Sequence, residues 1–550
     1  MKKVIFLLVL IIFIFIFVSC KIDNNTKTYK VTFHKNNGQP DMTVAVMEGT
    51  KVVPISDPKL DNYTFKFWCT DIYLTNQYNW DTLIYCDFDL YAKFEVTTIS
   101  TETLDIFYIN DLHGMLTKQG NSKGISYIAN FIKTKKIENP NTLFITGGDI
   151  LQGSAVSNYF YGESTLTILN EMDINAFCIG NHEFDWGIET ILPFFNGNSI
   201  EPIIDIPLLG ANVVYKHLQT AVEGIQPYNI IEKNGLKIGI IGSIAPGLES
   251  SIAYSKISNY EFKSVAPIVG HYANELRTTK GCDIVLSICH SGGNENSAIA
   301  NLSGSQRIDA IFNGHTHERY TNENNGVPII QSGQYGEAIG HISLKLKNNK
   351  VISSTATNIT NSPLLLTPNL EVEILLNGYK DVIDEMFSQK LISNPDFISR
   401  NSLSPWLGSL MAYYTDSIYG WQNAGGTRVD LQAGVDLTYY ILYEVIPFDN
   451  VVKSCYLKGE YIKNFSYFAY GGPGSSPFSF SSLENNTYYR VVTNDYVFDG
   501  NYTFYHYGTD VILHELALRD LFYEELKLQA LKYAHFSLSN PILITSSFTL

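Results

Sequence analysis

Ala176-Phe177-Cys178-Ile179 runs directly into Gly180-Asn181-His182-Glu183-Phe184-Asp185. A short apolar run closed by glycine reads as a buried strand. Beyond that glycine stand an amide, an imidazole and two carboxylates. The same arrangement recurs along the chain. The run 104–110 ends in Asp111-Leu112-His113, and the run 142–146 ends in Gly147-Gly148-Asp149. The run 283–289 ends in His290, and the run 308–312 ends in Asn313-Gly314-His315-Thr316-His317. Further strand-like runs at 237–241, 327–331 and 339–346 alternate with helical stretches. This alternation predicts an α/β domain whose strands are buried on both faces. Such sheets hold their ligands at the carboxyl ends of the strands, where the polar residues stand. The neighbouring glycines permit sharp turns.

Carboxylates and imidazoles bind divalent transition metals, and Asn adds a neutral oxygen. One Asp-x-His pair says little, because buried polar residues are usually satisfied structural ones. Five such pieces, each after an apolar strand, make a metal-binding set. A carboxylate can bridge two cations about 3.5–4 Å apart, and such a pair supports in-line attack of activated water on phosphorus.

In this order the pieces resemble the calcineurin-like metallophosphoesterases. Phe184-Asp185 after Gly-Asn-His-Glu narrows the likeness to the 5′-nucleotidase family, which includes UDP-sugar hydrolases and 2′,3′-cyclic-nucleotide phosphodiesterases. The resemblance covers the chain from about residue 104 to its end. It implies a metallophosphoesterase β-sandwich flanked by helices (103–355) and a C-terminal α/β substrate-binding domain (369–550). By it, Asp111, His113, Asp149 and His317 hold one divalent ion, and Asp149, Asn181, His290 and His315 hold the other. Mn, Zn, Co and Fe all suit this donor set. Metal-bound hydroxide would attack phosphorus. His182 would stabilise charge in the transition state, oriented by Asp185. A second reading makes Asp185 a helix N-cap.

The helical rhythm of 369–391 opens or links to the C-terminal domain. There Asn423-Ala424-Gly425-Gly426-Thr427-Arg428 is similar to the family's Asn-x-Gly-Gly-x-Arg segment. Asn423 is expected at a base edge and Arg428 at phosphate, with Gly425 and Gly426 letting backbone approach the ligand. Gly434 to Thr438, Pro447-Phe448-Asp449-Asn450 and Thr493-Asn494-Asp495-Tyr496 continue the pattern. Departures stand at Arg400, which is offset, and at Gly500-Asn501-Tyr502-Thr503-Phe504, where Tyr502 replaces a sugar-binding Asp. Phe504 could stack on a base with Phe478 or Phe480 opposite, but for any single Phe core packing is the favoured reading.

The N-terminal region is of a different kind. Lys2 and Lys3 precede an apolar run, 4–18, that ends at Ser19-Cys20. The run is too short for a comfortable span, which needs about 20 residues, and reads as a secretory signal. Phe17-Val18-Ser19-Cys20 resembles a bacterial lipobox with Phe17 in the usual Leu position. That implies a signal peptide over 1–20, a lipid on Cys20, and anchoring at the extracellular face of the membrane. Residues 21–28 read as a tether. Residues 29–96 carry strand-like stretches at 29–33, 43–47, 63–65 and 90–94, with an Asn37-Gly38 turn. They resemble the β-rich repeat of internalin-type surface proteins, whose partner the sequence does not name. Cys69 and Cys86 could pair in an oxidising exterior; the other cysteines read as core residues.

The 550 residues carry a net charge of −16, which argues against polymeric nucleic acid as a partner. The leading expectation is an extracellular dinuclear-metal phosphoesterase acting on small nucleotides. Alternatives are a cyclic-nucleotide phosphodiesterase or UDP-sugar hydrolase with the same centre, and a non-catalytic surface adhesion protein.

Overall fold

The structure is a computed structural model that describes residues 27–60, 63–96, 101–464 and 482–548. Cys20 and Phe478 lie outside these residues, as does Phe480. No helix among the described residues is long and apolar enough to cross a membrane. The chain divides into two compact units, Met1–Ser100 and Thr101–Leu550.

In the first unit, Met42–Met47, Thr28–His34, Phe88–Val96 and Tyr63–Cys69 form a four-stranded sheet in that spatial order. The central pair is parallel and the outer pairings are antiparallel. Period-two alternation sends Val31, Phe33, Leu90 and Ala92 into a small core with Trp68. The Phe33 ring meets Trp68 edge-on, with centroids 4.8 Å apart, a favoured aromatic geometry. Cys69 is buried and Cys86 is exposed, and both are free thiols. The expected pairing is therefore not made: one side chain is enclosed and the other faces solvent.

The second unit opens with six strands that position the site: β1 (Thr101–Ile109), β2 (Thr142–Gly147), β3 (Ala176–Cys178), β4 (Leu236–Ile244), β5 (Ile284–His290) and β6 (Ala310–Asn313). Strands β3, β2 and β1 are parallel neighbours in a seven-stranded sheet, which Ile339–Lys347 and Lys350–Ile359 extend antiparallel beyond β1. Strands β4, β5 and β6 run parallel in a six-stranded sheet with Val327–Ser332 beside β6. The two sheets face each other across one apolar layer. Leu104, Ile106 and Tyr108 of β1 meet Ile238 and Ile240 of β4, Leu286 and Ile288 of β5, and Phe312 of β6 there. The alternate residues Phe107 and Ile109 point the other way, into a core shared with helix α1 (Ile125–Glu138). Val269 and Leu276 cover the outer face of the second sheet together with Val285 and Ile311. Both sheets are thus buried on both faces, as their continuous apolar runs require.

Helix α2 (Leu370–Phe387) is capped by Asn369, whose side chain accepts from the Val372 amide. It leads to a four-stranded sheet in the order Tyr419–Trp421, Tyr488–Asn494, Val451–Lys458, Thr509–Ala517. This sheet has its own core, built around Leu403, Leu407, Phe522 and Phe536.

Strand β2 ends where space is tightest. The Tyr108 hydroxyl crosses the sandwich and donates to the Asn313 carbonyl at 2.6 Å. A methyl group on Gly147 would overlap that hydroxyl and its ring. Gly147→Ala is expected to destabilise the fold by about 1–3 kcal/mol, the ordinary cost of overpacking, read as a lower urea midpoint at unchanged slope.

Candidate metal centre and substrate cavity

The ends of β1, β2, β3, β5 and β6 converge at one edge of the sandwich. The backbone turns abruptly there. Asp111, His113, Asp149, His315 and His317 adopt φ of 48°, 50°, 53°, 81° and 59°. Non-glycine residues avoid this left-handed region at a cost of about 1–3 kcal/mol each. Gly148 shares it at φ 83°, and a side chain there would also strike the His290 ring.

Two groups of ligand atoms result. Asp111, His113 and His317 form one and Asp149, His290 and His315 the other, the chosen atoms in each lying within 4.8 Å of one another. The Asn181 side-chain oxygen joins the second group, 3.2 Å from His290 Nε2 and 3.0 Å from His315 Nδ1. Ring orientation is fixed from behind. His113 Nδ1 donates to the Gln152 carbonyl at 3.0 Å, and His290 Nδ1 to the Gly147 carbonyl at 2.8 Å. Each Nε2 is left to face the cluster, as ligating imidazoles are held. Asn110 steadies Asp111 by donating to its carboxylate at 2.6 Å.

The electrostatics match. Burial pushes His113 well below the usual imidazole range, and it takes His315 and His317 down to about 4. These rings are neutral near pH 7 and offer lone pairs. Burial, with the nearby charge of Asp149, holds Asp111 above the carboxylate range. His290 differs: burial opposes its protonation, but the charges of Asp149 and Asp111 outweigh that and raise it to about 10, so in the absence of a cation it carries the proton that offsets Asp149. His113 Nε2 and His317 Nε2 stand 3.2 Å apart. Two nitrogens each about 2.1 Å from one cation would stand at just such a separation. The residues present therefore fit a pair of divalent cations.

His182 sits beside this cluster on a single turn, His182–Phe184. Its amide donates to Asp149 Oδ1 at 2.9 Å, and its Nδ1 lies 2.8 Å from Asp185 Oδ2. Burial opposes protonation of His182, but the charges of Asp185 and Asp149 outweigh it and raise its pKa. The N-cap reading of Asp185 does not hold: the next helix is capped by Gly187, and the carboxylate is turned toward His182.

These groups open into a cavity of about 600 Å³ that the C-terminal part closes. Pro447 anchors that contact: its carbonyl accepts from Gln152 at 3.1 Å and Asn158 at 2.7 Å. Asn423, Gly425 and Arg428 line the cavity as expected. Gly426 does not line it; it is buried, and a side chain there would strike Gln422 and Asn423. Arg400 does not line it either, because its guanidinium reaches the Arg428 carbonyl at 3.4 Å. Phe504 is only 1% exposed and packs against Trp421 and Phe498, so no base can reach it. Phe448 is a C-terminal aromatic that does face the site, its ring stacked 5.8 Å from His182 and 5.8 Å from the Arg428 guanidinium. Asp449, Asn450, Asp495 and Tyr496 line the same wall, and Tyr161, Trp186 and Lys256 the opposite one. The segments at 447–450 and 493–496 stand out in the sequence as family-like stretches; nothing there marks Tyr161 or Lys256. Tyr502 is exposed and stacks on His506.

Residues 104–319 match the calcineurin-like phosphoesterase family, and residues 29–93 match the Listeria-Bacteroides repeat domain. The chain is 27% identical over 409 residues to endonuclease YhcR of Bacillus subtilis, covering 67% of this chain but 33% of that one. It is 24% identical over 411 residues to an apyrase of Tabanus yao, covering 65% of this chain and 72% of that one. A solved 5′-nucleotidase precursor from Thermus thermophilus superposes with a TM-score of 0.64 at 19% identity, covering 78% of this chain and 96% of that one. That likeness extends the shared fold through the C-terminal domain. The second unit thus carries a segment, residues 104–319, that matches the calcineurin-like phosphoesterases, in a fold shared with the solved 5′-nucleotidase precursor. A β-rich Listeria-Bacteroides repeat precedes it.

Removing His182 should separate chemistry from metal retention. His182→Ala is expected to lower kcat roughly 10²–10³-fold, the scale of a lost donor to developing charge, with bound metal unchanged by elemental analysis.

Proposed function

We propose that this chain is an extracellular nucleotide phosphoesterase held to the membrane by a lipid on Cys20. One observation carries the catalytic part. A single cavity is lined by Asp149, Asn181, His315 and His317, members of both ligand groups, by the His182–Asp185 pair, and by Arg428, Asn423, Phe448 and Asn450 of the C-terminal part. Its volume, about 600 Å³, is in the range of small-molecule sites. The relative named an apyrase and the neighbour named a 5′-nucleotidase support a nucleotide substrate. The lipobox-like ending at Cys20 supports the location.

In this reading Asp111, His113 and His317 would hold one divalent ion, and Asp149, Asn181, His290 and His315 the other, with Asp149 close enough to serve both. Two such ions supply Lewis acidity, drawing charge from phosphoryl oxygens and easing ionisation of water near neutral pH. The chain's own residues do the rest. Arg428 makes no ion pair among the described residues and is placed to grip a phosphate. Phe448, Trp186 and Tyr161 offer ring faces to a base. Asn450 and Asn423 offer amides to its edge. His182, its Nδ1 held by Asp185, presents Nε2 to the charge that develops as the ester bond breaks.

The soluble chain from residue 21 onward, supplied with Mn²⁺, is to be assayed on AMP, UDP-glucose, 2′,3′-cyclic AMP, an aryl phosphate and single-stranded DNA. The expected result is release of phosphate from AMP with kcat/KM at least tenfold above the aryl phosphate, abolished by chelator. Cleavage of the aryl phosphate alone would remove the nucleoside part of the proposal. No turnover of any substrate would remove the catalytic part. For the anchor, Cys20→Ser should shift the protein out of the lipid-labelled membrane fraction; unchanged lipid labelling would refute that assignment.

A further inference from the structure

Glu183 stands between Asn181, His182 and Asp185 in sequence, yet neither ligand group includes it. It is completely buried, and among the described residues its carboxylate meets no cationic side chain. What it meets is backbone. Oε2 accepts from the Asp149 amide at 2.8 Å and the Gly180 amide at 2.7 Å. Oε1 accepts from the Ile150 amide at 2.8 Å and the Leu151 amide at 3.2 Å. Three of these donors are consecutive. The left-handed turn at Asp149, φ 53°, points successive N–H groups to one side, a concavity of the kind that binds anions. Here the anion is a side chain of the neighbouring strand end.

We infer that Glu183 is a positioning residue: its carboxylate clamps the turn after β2 to the turn after β3 and so sets Asp149, Asn181 and His182 relative to one another. The inference rests on the reading of this edge as a two-cation site. The geometry states what the clamp controls. Asp149 Oδ1 is held 2.9 Å from the His182 amide and Oδ2 3.2 Å from His290 Nε2. If the turn relaxes out of its left-handed conformation, the Asp149 carboxylate swings away from His290 and Asn181 together. The clamp also places a hydrogen-bonded carboxyl group behind a metal ligand, where outer partners tune affinity.

A built-in comparison lies far from the site. Glu525 is likewise completely buried and accepts from the backbone amides of Leu543 at 3.0 Å and Ile544 at 2.8 Å, and from the Gln529 side chain at 2.8 Å. Glu525→Gln perturbs a carboxylate–backbone clamp of the same chemistry in the C-terminal core, so it reports the general cost of such a change.

The test compares Glu183→Gln, Glu183→Asp and Glu525→Gln in the whole soluble chain, each checked for folding by circular dichroism. Mn²⁺ affinity is read by titration, and kcat and KM on the best substrate of the panel. Glu183→Gln is expected to weaken Mn²⁺ binding on the order of 10–100-fold, as outer-partner changes do. It should also lower kcat roughly 100-fold, the scale of a small misplacement of catalytic groups, with KM within threefold. Glu183→Asp, which keeps the carboxyl group but retracts it, should fall between. Glu525→Gln should match wild type in Mn²⁺ affinity and kcat. Folded Glu183 variants with wild-type Mn²⁺ affinity and kcat would overturn the inference, as would equal effects of Glu525→Gln. Should neither Glu183 variant fold, hydrogen exchange on chelated wild type decides. Protection of the 149–151 and 180 amides without metal supports a clamp made by protein alone, and rapid exchange there overturns it. A wild type that binds no Mn²⁺ would instead refute the two-cation reading itself.

Discussion

Burying Asp111 and Asp149 in one cluster is the constraint on which this domain depends. Their exposures are 0% and 1%. Each carboxylate taken from water costs several kcal/mol unless it is paired and hydrogen-bonded. Amide donors offset part of this: His315 N reaches both oxygens of Asp111, and His182 N reaches Asp149. The remainder falls to positive charge. His290, raised to about 10 by Asp149, supplies some of it; the imidazoles at 113, 315 and 317 are held neutral by burial and offer lone pairs to cations instead.

The sandwich supplies the rigidity that this arrangement needs. Two sheets buried on both faces hold the strand ends in register, and five left-handed ligand residues accept the strain of the abrupt turns. Strain of that kind persists only where the surroundings over-determine it. The carboxylate of Glu183, the Tyr108 hydroxyl and the Asn110 side chain are the specific contacts that do so. The C-terminal domain adds a second wall by hydrogen bonding through Pro447 and stacking Phe448 on His182.

Much of the metal centre is legible in the chain because it obeys a local grammar. Each ligand follows directly on an apolar run, and the strand that positions it is its own sequence neighbour. All seven expected ligand residues come together at the expected edge. The opposite wall obeys no such grammar. Which of two aromatics, Phe448 or Phe504, faces the cavity is decided by the packing of separate elements. Phe504 follows a short helix into the core beside Trp421 and Phe498, whereas Phe448 sits on the loop that docks against the first wall. Arg400 misleads for the same reason: it lies close to Arg428 but behind it, at the start of a helix outside the cavity. The role of Glu183 is invisible in the sequence because its partners are backbone amides, which carry no sequence signature.

The sharpest test of the account is metal stoichiometry, measured by elemental analysis after Mn²⁺ loading and desalting, for wild type, Asp111→Ala and Asp149→Ala. A centre in which Asp149 belongs to both sites predicts two ions in wild type, one after loss of Asp111, and none after loss of Asp149. Retention of one ion by Asp149→Ala would contradict it, showing that Asp111, His113 and His317 hold their cation alone and that the shared carboxylate does not exist.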